Sequence, residues 1–202
     1  MIVTQIEAVS KTRSRVFLDG MFAFVLYKGE LHKYQILEGK ELKEEIVAEI
    51  RDEILPRRAK LRAMNLLKSK QYTEKQLLEK LLQGGYDEET AQKAVDYVKS
   101  YHYVDDAEYA YTYAACHAEK KSCKEIINRL RQRGISEEEV VLAFQRLEEA
   151  GEAADEKEAI RKLLVKRHYN PQTADYQEKQ RIYAYFYRRG FSLDTVRDVM
   201  GE

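Results

Sequence analysis

Few side chains in this sequence could do chemistry, and two adjacent carboxylates are the first to consider. Asp105 and Asp106 could ligate a metal ion or act as an acid–base pair. They also directly precede a predicted helix, where an acidic side chain caps free backbone amides and interacts favourably with the helix dipole. We therefore favour a structural role, with Asp105 as the N-cap residue.

A second group combines thiols with an imidazole. Cys116, His117 and Cys123 invite comparison with zinc sites, but their spacing is not the Cys-x2-4-Cys of such sites and no second ligand pair follows. Free thiols are the better interpretation. The sequence also lacks a glycine-rich phosphate loop and a nucleophile elbow. We therefore expect neither an enzyme nor a bound metal ion or cofactor.

Basic residues are clustered locally, although the 35 Lys and Arg residues balance 35 Asp and Glu residues. Some recur four residues apart on predicted helices, which would place them in a stripe along one helix face. Such a stripe could bind phosphates or an acidic protein surface, or could simply be a solvated face. The candidate binding residues are Arg57, Arg58, Lys60, Arg62, Lys120, Lys121, Lys124, Arg129, Arg131, Arg133, Arg161, Lys162, Lys166, Arg167, Arg188 and Arg189.

Tyrosines are abundant, with 15 in the chain and no tryptophan. Clusters around residues 109–113 and 183–187 could stack on nucleic-acid bases, although most of their members lie on apolar stripes that indicate a core. Three consecutive aromatic residues on one helix cannot all face inward, so we expect Tyr185 or Tyr187 at the surface.

One short phrase that occurs three times organises the helices that carry these side chains. Each copy places a glycine at a helix C-terminus, follows it with one apolar residue, and then has a capping residue that opens the next helix. The glycines are Gly85, Gly134 and Gly190, and they lie about 50 residues apart, which indicates a tandem repeat.

Further capping signals divide each repeat into three helices. Thr73 with Gln76, Ser122 with Glu125, and Ser136 with Glu139 have the spacing of capping boxes. In the third repeat, Asn170-Pro171 predicts a helix start, from which a helix two turns longer than its counterpart would reach Gly190. Pro56 is expected to end a helix that begins near Glu41.

The N-terminal residues have a different pattern. Asp19-Gly20 lies between two apolar, aromatic-rich runs and predicts a β-hairpin. The sequence thus predicts a mainly α protein of three tandem three-helix repeats in an elongated curved array, with a small N-terminal antiparallel sheet. The predicted segments are 1–40 (β extension), 41–56 (connecting helix), 57–104, 105–152 and 153–202 (repeats 1 to 3).

Two isolated cysteines and the lack of an apolar stretch near 18 residues favour a cytoplasmic protein. A zero net charge gives no global nucleic-acid signal. Any such contact must therefore be local.

Taken together, these motifs resemble the RecX family of RecA regulators over essentially the whole length. The resemblance rests on the three glycine phrases and on the run Tyr103–Ala110, in which Tyr103, Asp105, Asp106 and Tyr109 match the family motif. The strand-rich N-terminus resembles the extension found in members from low-GC Gram-positive bacteria.

This resemblance implies a non-enzymatic cytoplasmic regulator in the SOS response, DNA repair and recombination. Such a protein binds the RecA filament on single-stranded DNA and inhibits its ATPase and strand exchange, by lying in the groove or capping an end. A monomer suffices. Two other hypotheses stay open: a helical-repeat adaptor between proteins, and a nucleic-acid binder that acts alone.

Overall fold

The computed structural model describes residues 1–152 and 155–201. It divides into two compact units, Met1–Val104 and a second that begins at Asp105. Helices dominate both units, and one three-stranded antiparallel sheet precedes them. The predicted fold class, mainly α with an N-terminal antiparallel sheet, is therefore confirmed, whereas the finer division into five segments stays a prediction.

The sheet consists of β1 (Val3–Ala8), β2 (Arg13–Leu18) and β3 (Met21–Tyr27) in the order β1-β2-β3. Asp19 and Gly20 both have positive φ, at 49° and 84°, as a two-residue hairpin turn requires. One face of the sheet buries Val16, Phe24 and Leu26 in the core of the first unit. The predicted hairpin is confirmed.

After α1 (Lys28–Lys33), the chain forms α2 (Glu44–Glu49), a π-helical turn (Ile50–Ile54) and α3 (Leu55–Leu67) without a break. The prediction that Pro56 ends this helix is wrong. Pro56 lies in the first turn of α3, where its missing amide is tolerated. The preceding turn widens, and the amide of Leu55 donates to the carbonyl oxygen of Ile50, five residues back.

The first repeat is completed by α4 (Glu74–Gln83) and α5 (Glu88–Ser100). Thr73 accepts from the amide of Gln76 while Gln76 reaches back to Thr73, so this capping box is confirmed. Leu77 and Leu81 are fully buried. By contrast, Leu61 on α3 is half exposed, because Ala59 and Ala63 form the buried face of that helix.

The second unit begins with α6 (Asp106–His117), α7 (Cys123–Gln132) and α8 (Glu137–Glu149). Ser136 and Glu139 form a reciprocal capping box. Ser122 accepts from the amide of Glu125, but the Glu125 side chain turns to neighbouring cations. Ser122 is therefore an N-cap, and the predicted reciprocal box at this helix is only half formed.

The last three helices are α9 (Glu156–Lys166), α10 (Tyr176–Arg188) and α11 (Leu193–Met200). The prediction that Asn170-Pro171 opens a helix is wrong. Asn170 instead accepts from the amide of Gln172 in a turn, and Asp175 caps α10 through the amide of Glu178. An Asx-Pro pair begins turns as readily as helices, and the extra residues of this repeat lie largely in the turn.

The repeated glycine phrase has the same geometry in all three places. Gly85, Gly134 and Gly190 have φ of 89°, 92° and 83°. The amide of the following apolar residue donates to a carbonyl five residues back, as a Schellman motif requires; the pairs are Tyr86 to Leu81, Ile135 to Leu130 and Phe191 to Phe186. Two further helices, α5 and α9, use His102 and His168 at φ 56° for the same purpose, which the sequence did not reveal.

Candidate functional site

Four cations, three of them exposed, line a groove of about 780 Å³ in the second unit. One wall is α7, and the other is the turn that joins α10 to α11. The lining residues are Lys124, Glu125, Asn128, Arg129, Gln132, Tyr187, Arg188, Arg189, Gly190 and Phe191. We call this feature the basic groove.

Local packing at the start of α7 holds the two walls together. The Ser122 hydroxyl is fully buried and donates a 2.6 Å hydrogen bond to the carbonyl oxygen of Arg189. A Cβ atom on Gly190 would lie 3.0 Å from Ser122 Oγ and 3.2 Å from Lys124 Cβ. The glycine of the third phrase therefore allows the α10–α11 turn to approach α7 closely.

The electrostatics of the basic groove centre on one carboxylate. Glu125 lies 3.0 Å from Arg129, 3.7 Å from Lys121 and 3.6 Å from Arg189, measured from carboxylate oxygen to cationic nitrogen. Its Oε2 atom is buried and accepts no hydrogen bond from the described residues. Glu125 thus offsets part of a larger positive charge.

Two other cations of the basic groove stay available to a ligand. Lys124 and Arg188 are exposed, and no carboxylate of the described residues lies within ion-pair distance of either. Tyr187 beside them is 67% exposed. This exposure confirms the prediction that either Tyr185 or Tyr187 lies at the surface. Free cations beside an exposed aromatic ring can contact phosphates and stack on a base.

Several other predicted cations are used within the fold. In the first unit, Arg58 forms a 2.6 Å ion pair with Glu30, donates to the carbonyl oxygen of Val25, and lies over the rings of Tyr27 and Tyr86. Arg58 therefore joins the sheet to the first repeat, and it is not available to a ligand.

In the second repeat, two cations pack on the tyrosines of α6. Arg133 donates a 2.7 Å hydrogen bond to the hydroxyl of Tyr109 and lies 4.2 Å from the ring centroid of Tyr113. Lys121 contacts Tyr113 as well. Arg131 forms a bidentate pair with Glu137, whereas Lys120 is exposed.

The third repeat shows the same division. Arg161 pairs with Glu158 at 3.1 Å, Lys162 pairs with Glu119 at 3.1 Å, and Lys166 is exposed. Arg167 lies over the ring of Tyr185, whose hydroxyl also contacts Arg189.

Several cations of the predicted stripes are therefore engaged by acids or rings of the fold, and the binding role of the stripes stays a prediction. In the pairs Arg58/Arg62 and Lys162/Lys166, the first member is engaged within the fold and the second is exposed. In the third pair both members are engaged, Arg129 with Glu125 and Arg133 with Tyr109. Arg57 is exposed, whereas Lys60 lies 4.6 Å from the ring centroid of Tyr97.

The family-motif residues between the first and second repeats make contacts within the fold. Asp105 caps α6 by accepting from the amide of Glu108 at 2.9 Å, and Asp106 is buried. Tyr109 stacks on Tyr113. Tyr103 is 61% exposed. Asp105 is therefore the N-cap residue of α6, as the sequence predicted.

The thiols and the imidazole lie in unlike environments. Burial raises the pKa of the Cys123 thiol to about 11, and burial lowers the pKa of His117, which stacks on Tyr113 and donates to its carbonyl oxygen. Cys116 is exposed. Across residues 1–152 and 155–201, no three His, Cys, Asp or Glu side chains are grouped closely enough to hold a metal ion. Among the same residues, no helix has the length and apolar character needed to span a membrane.

The fold and the basic groove define a class: a helical-repeat protein whose capped three-helix units present a cationic surface. Two profiles of one family match this architecture, described as "RecX, third three-helix domain" over residues 154–200 and "RecX, first three-helix domain" over residues 59–97.

Comparisons along the whole chain agree with these profiles. A protein of Caldanaerobacter subterraneus subsp. tengcongensis named "Regulatory protein RecX" is 30% identical, with 99% of this chain and 98% of the relative covered. A structure titled "Crystal structure of regulatory protein RecX" is 25% identical, covers 100% of this chain and 99% of its own, and has a TM-score of 0.63. RecX from Lactobacillus salivarius, at 17% identity, shares the fold over 73% of this chain and 96% of its own, with a TM-score of 0.56. The chain belongs to the RecX family.

Proposed function

We propose that this protein regulates the RecA recombinase by binding its filament on single-stranded DNA and inhibiting ATP hydrolysis and strand exchange. The relatives are named regulatory proteins, which supports regulation as the general activity. The basic groove is the observation that carries the finer proposal, because it places unpaired cations beside an exposed tyrosine.

The chemistry of the groove suits a phosphate-bearing partner better than a neutral one. Lys124, Arg129, Arg188 and Arg189 face one another across it, and Glu125 is the one acid among its described lining residues. Each phosphate that a cation contacts releases bound counterions, so binding weakens as salt rises. We propose that the groove contacts the DNA of the filament or an acidic surface of RecA beside it, and that the protein acts as a cytoplasmic monomer without catalysis of its own.

The test is the single-strand-dependent ATPase of RecA from the same organism, measured with increasing amounts of the protein at two salt concentrations. We expect inhibition at modest protein ratios that weakens at the higher salt. A charge-reversed variant, Lys124→Glu with Arg188→Glu, should inhibit much less. Lys75→Glu with Lys80→Glu, which reverses two exposed charges on α4, is the matched control and should inhibit normally.

Results of this assay other than inhibition would indicate a different function. No inhibition at a large excess would contradict the proposal. If the protein then retained bare single strands in a salt-dependent way, it would be a nucleic-acid binder that acts alone. If it instead bound a protein partner with little salt dependence, it would be an adaptor.

A further inference from the structure

A second surface, in the first unit, combines three tyrosines with a helix that bears only cations. Tyr97, Tyr101 and Tyr103 lie at and beyond the end of α5. The ring centroids of Tyr97 and Tyr101 are 5.1 Å apart, and those of Tyr101 and Tyr103 are 6.1 Å apart with planes only 16° from parallel. We call this set the tyrosine ladder.

Two rings of the tyrosine ladder face solvent. Tyr101 is 57% exposed and Tyr103 is 61% exposed, whereas tyrosines in proteins are more often partly or largely buried. The backbone fixes their positions, because His102 takes φ 56° and the amide of Tyr103 donates to the carbonyl oxygen of Val98 at 3.0 Å. Interaction with the neighbouring Tyr101 raises the pKa of Tyr97. The rings of Tyr101 and Tyr103 therefore form an exposed platform.

Helix α3 supplies the charge beside this platform. The stretch 55–70 contains no Asp or Glu, and its cations are Arg57, Arg58, Lys60, Arg62, Lys68 and Lys70. Lys60 lies 4.6 Å from the ring centroid of Tyr97, at one end of the ladder. Lys68 and Tyr103 together line a cavity of about 330 Å³ with Met64 and Leu67, at the other end. Cations thus accompany the rings from end to end.

The charge of α3 is largely uncompensated. Arg58 pairs with Glu30, but no carboxylate of the described residues lies within ion-pair distance of Lys60, Arg62 or Lys68. An acidic peptide would satisfy these cations without using the rings. A single strand satisfies both, because its phosphates pair with cations while each of its bases offers a flat face to an aromatic ring.

We infer that the tyrosine ladder and α3 form a binding site for single-stranded nucleic acid, in which Tyr101 and Tyr103 stack on bases and Lys60 and Lys68 contact phosphates. This site is separate from the basic groove and needs no RecA. It therefore goes beyond the proposed function, and either one can fail without the other.

The missing tryptophan makes the site easy to observe. Because the chain contains no Trp, the variant Tyr101→Trp carries a single tryptophan at the ladder, which can be excited selectively over the tyrosines. We expect a deoxythymidine oligomer to quench its emission, and an abasic oligomer of equal length to leave it largely unchanged. Tyr176→Trp, at a 75% exposed position on α10, is the matched control and should not be quenched through stacking. A parallel titration with a uridine oligomer determines whether DNA or RNA stacks more strongly.

Affinity measurements complete the test. Tyr101→Ala with Tyr103→Ala should weaken binding of the deoxythymidine oligomer at least about fivefold, while affinity for the abasic oligomer stays the same. Lys60→Ala with Lys68→Ala should weaken both and lower the salt dependence by about 0.7 per lost phosphate contact. Tyr101, Tyr103 and Lys68 are exposed and Lys60 is half-buried, and an unchanged urea midpoint would verify that the variants fold.

Two results would overturn the inference. Equal quenching of Tyr101→Trp by the abasic oligomer would mean that charge alone acts there. Unchanged affinity of the double tyrosine variant for the deoxythymidine oligomer would mean that the rings make no contact with bases. The assays contain no RecA, so neither result bears on inhibition of the recombinase.

Discussion

The side-chain oxygen of Ser122 bonds to two helices at once. It accepts from the amide of Glu125, which caps α7, and it donates to the carbonyl oxygen of Arg189 at the end of α10, 67 residues along the chain. One buried hydroxyl therefore joins the second and third repeats and holds the two walls of the basic groove.

Replacing this hydroxyl should destabilise the second unit more than the loss of an ordinary cap. We expect Ser122→Ala to cost about 2–3 kcal/mol of unfolding free energy, because it removes a cap and leaves the partly buried Arg189 carbonyl without its donor. Ser136→Ala is the control, since Ser136 caps α8 at an exposed site and should cost about 1 kcal/mol. Urea denaturation measures both, and equal losses would contradict the double role of Ser122.

The carboxylate of Glu125 should weaken anion binding in the basic groove. Glu125→Gln removes a negative charge that faces Arg129 and Arg189, so affinity for a single-stranded oligomer should rise roughly twofold to fivefold. Glu148→Gln, an exposed acid on α8, is the control and should change affinity little. Fluorescence anisotropy at low salt measures the effect, and unchanged or weaker binding by Glu125→Gln would show that the groove does not hold the anion.

Glycines with positive φ should differ in how much stability is lost when a side chain is added. A Cβ atom on Gly85 would lie 2.3 Å from Cγ2 of Val25, and Gly85 also has φ 89°, so Gly85→Ala should cost roughly 2–4 kcal/mol. Gly39→Ala is the control, because Gly39 has φ 77° with open space around it and should cost only about 1 kcal/mol. Comparable midpoints in thermal unfolding would refute the close contact between Gly85 and β3.

Replacing a histidine in the left-handed conformation by glycine should stabilise the protein. His102 ends α5 at φ 56°, where glycine meets no Cβ penalty, so His102→Gly should raise the unfolding free energy by about 0.5–1 kcal/mol. Ser100→Gly, two residues earlier and still helical, is the control and should lower it by a few tenths of a kcal/mol. Loss of stability in His102→Gly would indicate that the imidazole makes a compensating contact.

The features that could be predicted from the sequence are those decided by neighbouring residues. The glycine ends and the caps at Thr73, Asp105 and Ser136 require only a side chain and an amide within three residues, so their spacing shows them directly. Errors arose where one local signal permits two outcomes. Asn170-Pro171 begins a turn rather than a helix, and Pro56 lies in the first turn of α3 rather than after α2.

The contacts of several cations could not be predicted, because their partners come from distant parts of the chain. Arg58 meets Glu30, Arg133 meets Tyr109, and Lys162 meets Glu119 through packing that brings separate helices together. The free cations of the basic groove, Lys124 and Arg188, are indistinguishable from these in sequence. Helical spacing gives the face on which a charge lies, but only the fold shows what faces it.

The π-helical turn at Ile50–Ile54 is a place where the fold can tolerate the insertion or deletion of a residue. A π turn holds one residue more than an α turn, so deleting one residue there would let α2 continue into α3 with ordinary helical bonding. The same deletion inside α4 would rotate everything beyond it by about 100° and turn Leu81 out of the core. We therefore expect single-residue insertions and deletions among relatives to collect at this wide turn and to be rare within the capped helices that follow it.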